Sequence, residues 1–214
     1  MSYDYLYKII LIGNTGVGKT SYCDRLVHNK YNDIFLPTLG VDFFAKHMKL
    51  DDKTVIKTHI WDTAGQEKFN GIIKHYYKDI AGAIIMFDIS NKYTFNRVKY
   101  WKNEIIKKSN CEINSFPILL LGNKCDNKNR EVTRDEAEIY ALKNSMIYEE
   151  ITCKHNYNIE KSFLKIGREI YQRMDKEKLG PGIKRHFSQT KDELLKNMDF
   201  NRNCPNTTTC CVII

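Results

Sequence analysis

The sequence predicts an α/β domain of three layers: a mostly parallel six-stranded sheet with helices on both faces, followed by a flexible C-terminal tail. Three observations carry that prediction. Nearly unbroken apolar runs of strand length recur at residues 7–12, 82–88 and 117–122, the pattern of strands buried on both faces of a parallel sheet. Helical patterns separate them, and strands alternating with helices build βαβ units. Each polar motif falls directly after a predicted strand, at the carboxyl edge where open α/β sheets bind ligands.

The first run leads into Gly13-Asn14-Thr15-Gly16-Val17-Gly18-Lys19-Thr20. This is a full match to G-x-x-x-x-G-K-[ST], and it is followed by a helix carrying Cys23, Leu26 and Val27 at helical spacing. The glycines permit backbone angles that turn successive N–H groups toward one anion. The helix N-terminus adds partial positive charge. Lys19 is placed to reach terminal phosphates, and the Thr20 hydroxyl to take a place on magnesium. The domain is thus of the phosphate-loop NTPase type, with Gly13 through Ser21 as the cradle. A chance glycine-rich turn is the plain alternative.

Residues 31–39 read as a loop containing Pro37. Two β-prone runs, 41–50 and 54–61, are separated by Asp51-Asp52-Lys53 and suggest a hairpin. An irregular helical segment is expected through 77–80. Strands at 82–88, 117–122 and, more weakly, 146–151 alternate with helices over 93–108 and 133–143. The second of these helices opens Thr133-Arg134-Asp135-Glu136, a capping box. In the last helix Ile159, Phe163, Ile166, Ile170 and Met174 form one apolar stripe, which is core rather than a cofactor surface. Near Lys178 the character changes: Gly180-Pro181-Gly182 breaks the helix, and the remainder is polar, with room for a short helix over 191–198. The division is therefore a domain over 1–178 and a tail over 179–214.

Composition narrows the function. Of seven cysteines, none has metal-ligand spacing before the adjacent Cys210 and Cys211; that count, with no early signal segment, suits a reducing cytosolic compartment. No segment approaches a membrane span, so the expectation is a soluble protein unless modified. A charge of +8 and a pI near 9.0 invite a nucleic-acid reading. The basic residues, however, are mixed with acids on solvated helix faces, as at Lys102, Glu104, Lys107 and Lys108, so no nucleic-acid partner is expected.

Two further motifs specify the chemistry. Asp62-Thr63-Ala64-Gly65-Gln66 offers a carboxylate for magnesium, a glycine N–H for a terminal phosphate and, in Gln66, a side chain that can orient the attacking water. A polar turn with a solvated Gln is the alternative. In Asn123-Lys124-Cys125-Asp126, the carboxylate can accept from both the ring N–H and the exocyclic amine of guanine; adenine lacks that pair of donors.

On these motifs the chain resembles the small GTPases of the Ras superfamily and, within them, the Rab family, over residues 5–175 and the final few. The resemblance implies GTP/GDP as ligand with Mg2+ held by Thr20, Thr38 and Asp62. Thr38, in Leu36-Pro37-Thr38-Leu39-Gly40, matches the switch I threonine that binds magnesium and senses the γ-phosphate, and with Lys19 and Gln66 it makes up the catalytic set. Tyr31 falls where an aromatic packs on guanine. Thr152-Cys153-Lys154 stands where the family has Ser-Ala-Lys, whose backbone reads the guanine carbonyl and whose lysine lines the base. Gly40-Val41-Asp42-Phe43, Ile60-Trp61-Asp62 and Tyr76-Tyr77 give the Rab likeness. Phe43, Trp61 and Tyr76 then mark an effector surface, or equally packing within their own sheet. Lys68-Phe69-Asn70-Gly71-Ile72 and Lys78-Asp79-Ile80 depart from the family pattern, where the second is usually Arg-Gly-Ala.

The ending Cys210-Cys211-Val212-Ile213-Ile214 is of prenylation type. The family implies geranylgeranyl on both cysteines, and two lipids anchor stably where one does not. A monomeric, membrane-attached switch regulating vesicle traffic follows from the resemblance, on the cytoplasmic face of an intracellular membrane with a cytosolic pool. Its partners would be an exchange factor, a GTPase-activating protein, a GDP-dissociation inhibitor, prenylation machinery and effectors. No arginine is placed by motif to act in cis, so hydrolysis should be slow until an activating protein supplies that charge. The rivals are a scaffold that binds GTP without hydrolysing it and, disfavoured by Asp126, an ATP phosphotransferase.

Overall fold

The computed structural model describes residues 2–33, 37–65, 74–109, 115–174 and 179–186. Elements follow in the order β1 (Tyr5–Gly13), α1 (Lys19–His28), β2 (Val41–Lys49), β3 (Val55–Thr63), a 3-10 turn (Lys74–Tyr77), β4 (Gly82–Asp88), α2 (Lys92–Asn96), α3 (Val98–Ser109), β5 (Ile118–Asn123), α4 (Arg134–Lys143), β6 (Ile147–Glu150), α5 (Ile159–Arg173) and β7 (Ile183–Arg185).

The strands lie in the order β2-β3-β1-β4-β5-β6. β3, β1, β4, β5 and β6 run parallel, and β2 pairs antiparallel with β3 from Val41↔Thr63 to Lys49↔Val55. β4 and β5 are buried at every position, as their unbroken apolar runs require. β1 divides the core: Ile9 and Leu11 face α1 and α5, where Tyr22, Cys23, Leu26, Phe163, Ile166 and Ile170 pack, whereas Ile10 and Ile12 face Trp101, Ile105 and Ala137 of α3 and α4. The whole stripe Ile159, Phe163, Ile166, Ile170 and Met174 is buried.

Three local expectations are corrected. The helix expected over 93–108 is interrupted at Arg97, which leaves the helical run between α2 and α3 although Trp101 N–H still donates to Arg97 O at 3.1 Å. The capping box is half formed. Glu136 N–H donates to the Thr133 hydroxyl at 3.2 Å, but the Glu136 carboxylate is taken up by Lys92. Among the described residues the sheet also has seven strands rather than six. β7, inside the stretch expected to be a flexible tail, pairs antiparallel with Tyr5–Tyr7 of β1. It occupies the side of β1 that β4 reaches only from Ile9 onward, so backbone groups that would otherwise be unpaired find partners there.

The departure at Lys78-Asp79-Ile80 has a physical reading. Asp79 adopts φ 51°, the left-handed region where glycine is at ease and Asp is among the more tolerant residues.

Candidate functional site

Four loops leave the carboxyl edge of the sheet after β1, β3, β5 and β6, and with Tyr31, Pro37 and Thr38 they line one cavity of about 860 Å³. Thr15, Gly16, Gly18, Lys19, Thr20, Ser21, Gly65, Asn123, Lys124, Asp126, Thr152, Cys153 and Lys154 all border it. Of the expected residues, Gln66, Cys210 and Cys211 lie outside the described residues, as does the run 68–72.

The phosphate loop closes around Lys19. Its ammonium donates to Gly13 O at 2.9 Å and Asn14 O at 3.0 Å, which leaves one of three donors for a ligand. Burial pushes its pKa down to about 8. Gly13, Gly16 and Gly18 all have positive φ, as a loop of converging N–H groups demands. Val17 is fully buried, and its carbonyl accepts from Asn123 Nδ2 at 2.8 Å, while Asn123 Oδ1 accepts from Cys153 N–H at 3.3 Å. Asn123 therefore fastens the phosphate loop to the loop after β6.

Thr20, Thr38 and Asp62 meet at one point. The Thr20 hydroxyl lies 2.8 Å from that of Thr38 and donates to Asp62 Oδ2 at 2.6 Å. Asp62 is fully buried, and its Oδ1 has no hydrogen-bond partner within the chain. Desolvation, the largest effect, lifts its pKa to about 6. An orphaned, buried carboxylate oxygen beside two hydroxyls suits a hard divalent cation with oxygen ligands. Among the described residues no group of three or more His, Cys, Asp and Glu side chains could hold a metal, so such an ion would take its remaining ligands from phosphate and water.

Gly65 lies against the phosphate loop: a Cβ there would stand 2.3 Å from Thr15 N and 2.5 Å from Asn14 C. Only glycine permits that approach, which brings the start of the Gly65-Gln66 segment to the edge of the anion cradle.

At the other end, Asp126 has a side chain 28% exposed at the rim, with His155 Nε2 3.6 Å from its Oδ2. Lys124 pairs with Asp88 at 2.6 Å. Burial raises the Cys153 thiol to about 12, so it is a packed side chain rather than a nucleophile.

Two participants carried no motif. Trp101 Nε1 donates to Asn14 Oδ1 at 2.6 Å, tying α3 to the phosphate loop. Arg25 of α1 donates to Cys153 O at 2.9 Å and Lys154 O at 3.1 Å. Neither could be found from spacing, because their partners are distant in the chain.

Phe43, Trp61 and Tyr76 do touch, with ring centroids 5.0 Å and 4.8 Å apart in succession, and Phe43 remains 45% exposed. The sheet therefore uses these rings both for packing and as surface.

A glycine-rich loop closed around a buried lysine, a carboxylate at the rim and an oxygen-lined corner, all on one mostly parallel sheet, define a protein of the phosphate-loop class. The family model for the Ras family matches residues 8–172. The Ras-related protein Rab-8A of Rattus norvegicus is 38% identical over 177 residues, covering 82% of this chain and 84% of that protein. The GTP-binding protein YPT1 of Saccharomyces cerevisiae is 41% identical over 178 residues, covering 83% and 84%. The chain belongs to the Ras family, as a small GTPase of the Rab type.

Proposed function

We propose that the chain is a GTP-hydrolysing switch in vesicle traffic whose two states are set at the corner where Thr38 meets Thr20 and Asp62. The observation that carries this is the 2.8 Å contact between the Thr20 and Thr38 hydroxyls, which brings a residue of the 31–39 loop into the cation corner. Thr20, Thr38 and Asp62 would hold Mg2+, which when bound neutralises phosphate charge. Lys19 spends its free donor on the terminal phosphates, and the Gly65 N–H meets the γ-phosphate. Gln66 orients water in line with the γ-phosphorus; the new P–O bond forms as the bond to the β–γ bridging oxygen breaks, giving GDP and phosphate. Tyr31, Asp126, Thr152, Cys153, Lys124 and Lys154 surround the base. With the γ-phosphate gone, Thr38 and Gly65 lose that partner and their loops are released.

Effectors read the surface of Phe43, Trp61 and Tyr76 while GTP holds the loops, and hydrolysis changes that surface. An exchange factor and an activating protein set the timing, and a GDP-dissociation inhibitor extracts the lipidated form. Residues 1–178, with β7 joined to the same sheet, make the switch domain. The tail carries Cys210 and Cys211 to the cytoplasmic face of an intracellular membrane, with a cytosolic pool. No helix among the described residues is long and apolar enough to cross a membrane.

Nucleotide released from purified protein should be guanine, and added GTP should disappear slowly, faster with an activating protein. Adenine nucleotide in the eluate overturns this reading. Guanine nucleotide without turnover, even with an activator, moves it to a non-hydrolysing scaffold.

A further inference from the structure

We propose that Arg25 is the positioning residue for base recognition: its guanidinium sets the reading loop and the aromatic wall of the base pocket together. The inference rests on guanine occupying the pocket bounded by Tyr31, Asp126 and Cys153.

Arg25 sits in the last turn of α1, the helix that begins at the phosphate loop. Its donors fan out to three carbonyls on two elements: Nε to Cys153 O at 2.9 Å, Nη2 to Lys154 O at 3.1 Å and Nη1 to Asn29 O at 3.1 Å. The guanidinium carbon also lies 5.6 Å from the centre of the Tyr31 ring. Capping the end of α1 would need only the bond to Asn29; the other two leave the helix for a loop 128 and 129 residues away.

Those two bonds have a directional consequence. A peptide group is planar and trans, so its C=O and N–H point opposite ways. Gripping the Cys153 carbonyl from α1 turns the Lys154 N–H away from α1. Gripping the Lys154 carbonyl does the same for the His155 N–H, which lies 3.5 Å from Thr152 Oγ1. Within the loop proposed to read the guanine carbonyl, the 153–154 and 154–155 peptides thus take their orientation from Arg25, beside the Cys153 N–H that Asn123 Oδ1 holds, and Tyr31 rests on the same cation. A lysine would keep the charge but could not reproduce the planar fork.

The test compares GDP with 6-thio-GDP, in which the guanine oxygen is replaced by sulfur, a weaker acceptor. Wild-type protein should prefer GDP by about tenfold. In Arg25→Lys and Arg25→Gln, whichever keeps the wild-type melting temperature without nucleotide, the preference should shrink to about twofold and GDP should leave about tenfold faster. Tyr31→Ala should speed release of both nucleotides equally and leave the ratio intact. An unchanged ratio in the Arg25 variants overturns the inference, as does a wild type indifferent to the sulfur. A wild type that does not prefer GDP to ADP instead overturns guanine binding itself.

Discussion

Asp62 keeps a carboxylate in a place where water cannot reach it, with one oxygen bonded to Thr20 and the other without a partner in the chain. Its folded-state pKa, raised from 3.8 to about 6, means that the folded chain holds more protons than the unfolded chain between those values. Stability from this group therefore falls as pH rises through that window, and the cost is fully present above about pH 6. Asp62→Asn should raise the stability of nucleotide-free, metal-free protein at neutral pH by about 1–3 kcal/mol. The same variant should abolish the magnesium dependence of nucleotide retention; thermal melting with and without magnesium checks both. In the wild type, magnesium affinity should climb between pH 5 and 7, since the cation displaces the proton. Trp101 offers a second test. Trp101→Phe keeps a ring against α3's neighbours but removes the donor to Asn14, and nucleotide affinity should fall by about three- to tenfold in a displacement titration.

Among the elements, β1, β4 and β5 were legible because burial on both faces writes itself as a nearly uninterrupted apolar run. The cradle was legible because its backbone needs Gly13, Gly16 and Gly18 at fixed spacing. Arg25 and Trp101 were not. Their roles come from hydrogen bonds between residues 87 to 129 apart in the chain, and nothing local marks an arginine or a tryptophan for such work. β7 was hidden for another reason: Ile183-Lys184-Arg185 has no apolar run, and its place is decided by free backbone on β1. Gly182 makes that placement possible, with φ 72° and a position where a Cβ would stand 2.4 Å from Ala81 N. Gly182→Ala should therefore detach β7 and destabilise the domain by about 1–3 kcal/mol. The Lys8 amide, which donates to Gly182 O at 2.9 Å, should lose protection from hydrogen exchange while nucleotide affinity stays unchanged.

At the level of the whole molecule, the residues proposed to hold base, phosphate and cation all lie at the carboxyl edge of the sheet, and β7 pairs with the amino-terminal end of β1. Membrane attachment should be separable from nucleotide chemistry. In cell fractionation, Cys210→Ser with Cys211→Ser should move the protein from the membrane pellet to the supernatant, and each single variant should be partly released. GTP binding and turnover of the purified double variant should match the wild type. The placement of β7 also decides how the domain bears tension. Its three residues run antiparallel to Tyr5–Tyr7, so the chain leaves beside the start of β1. A pull on residues 187–214 directed away from the nucleotide edge runs along the strands and loads the rungs of that ladder side by side, in shear, instead of peeling them one after another.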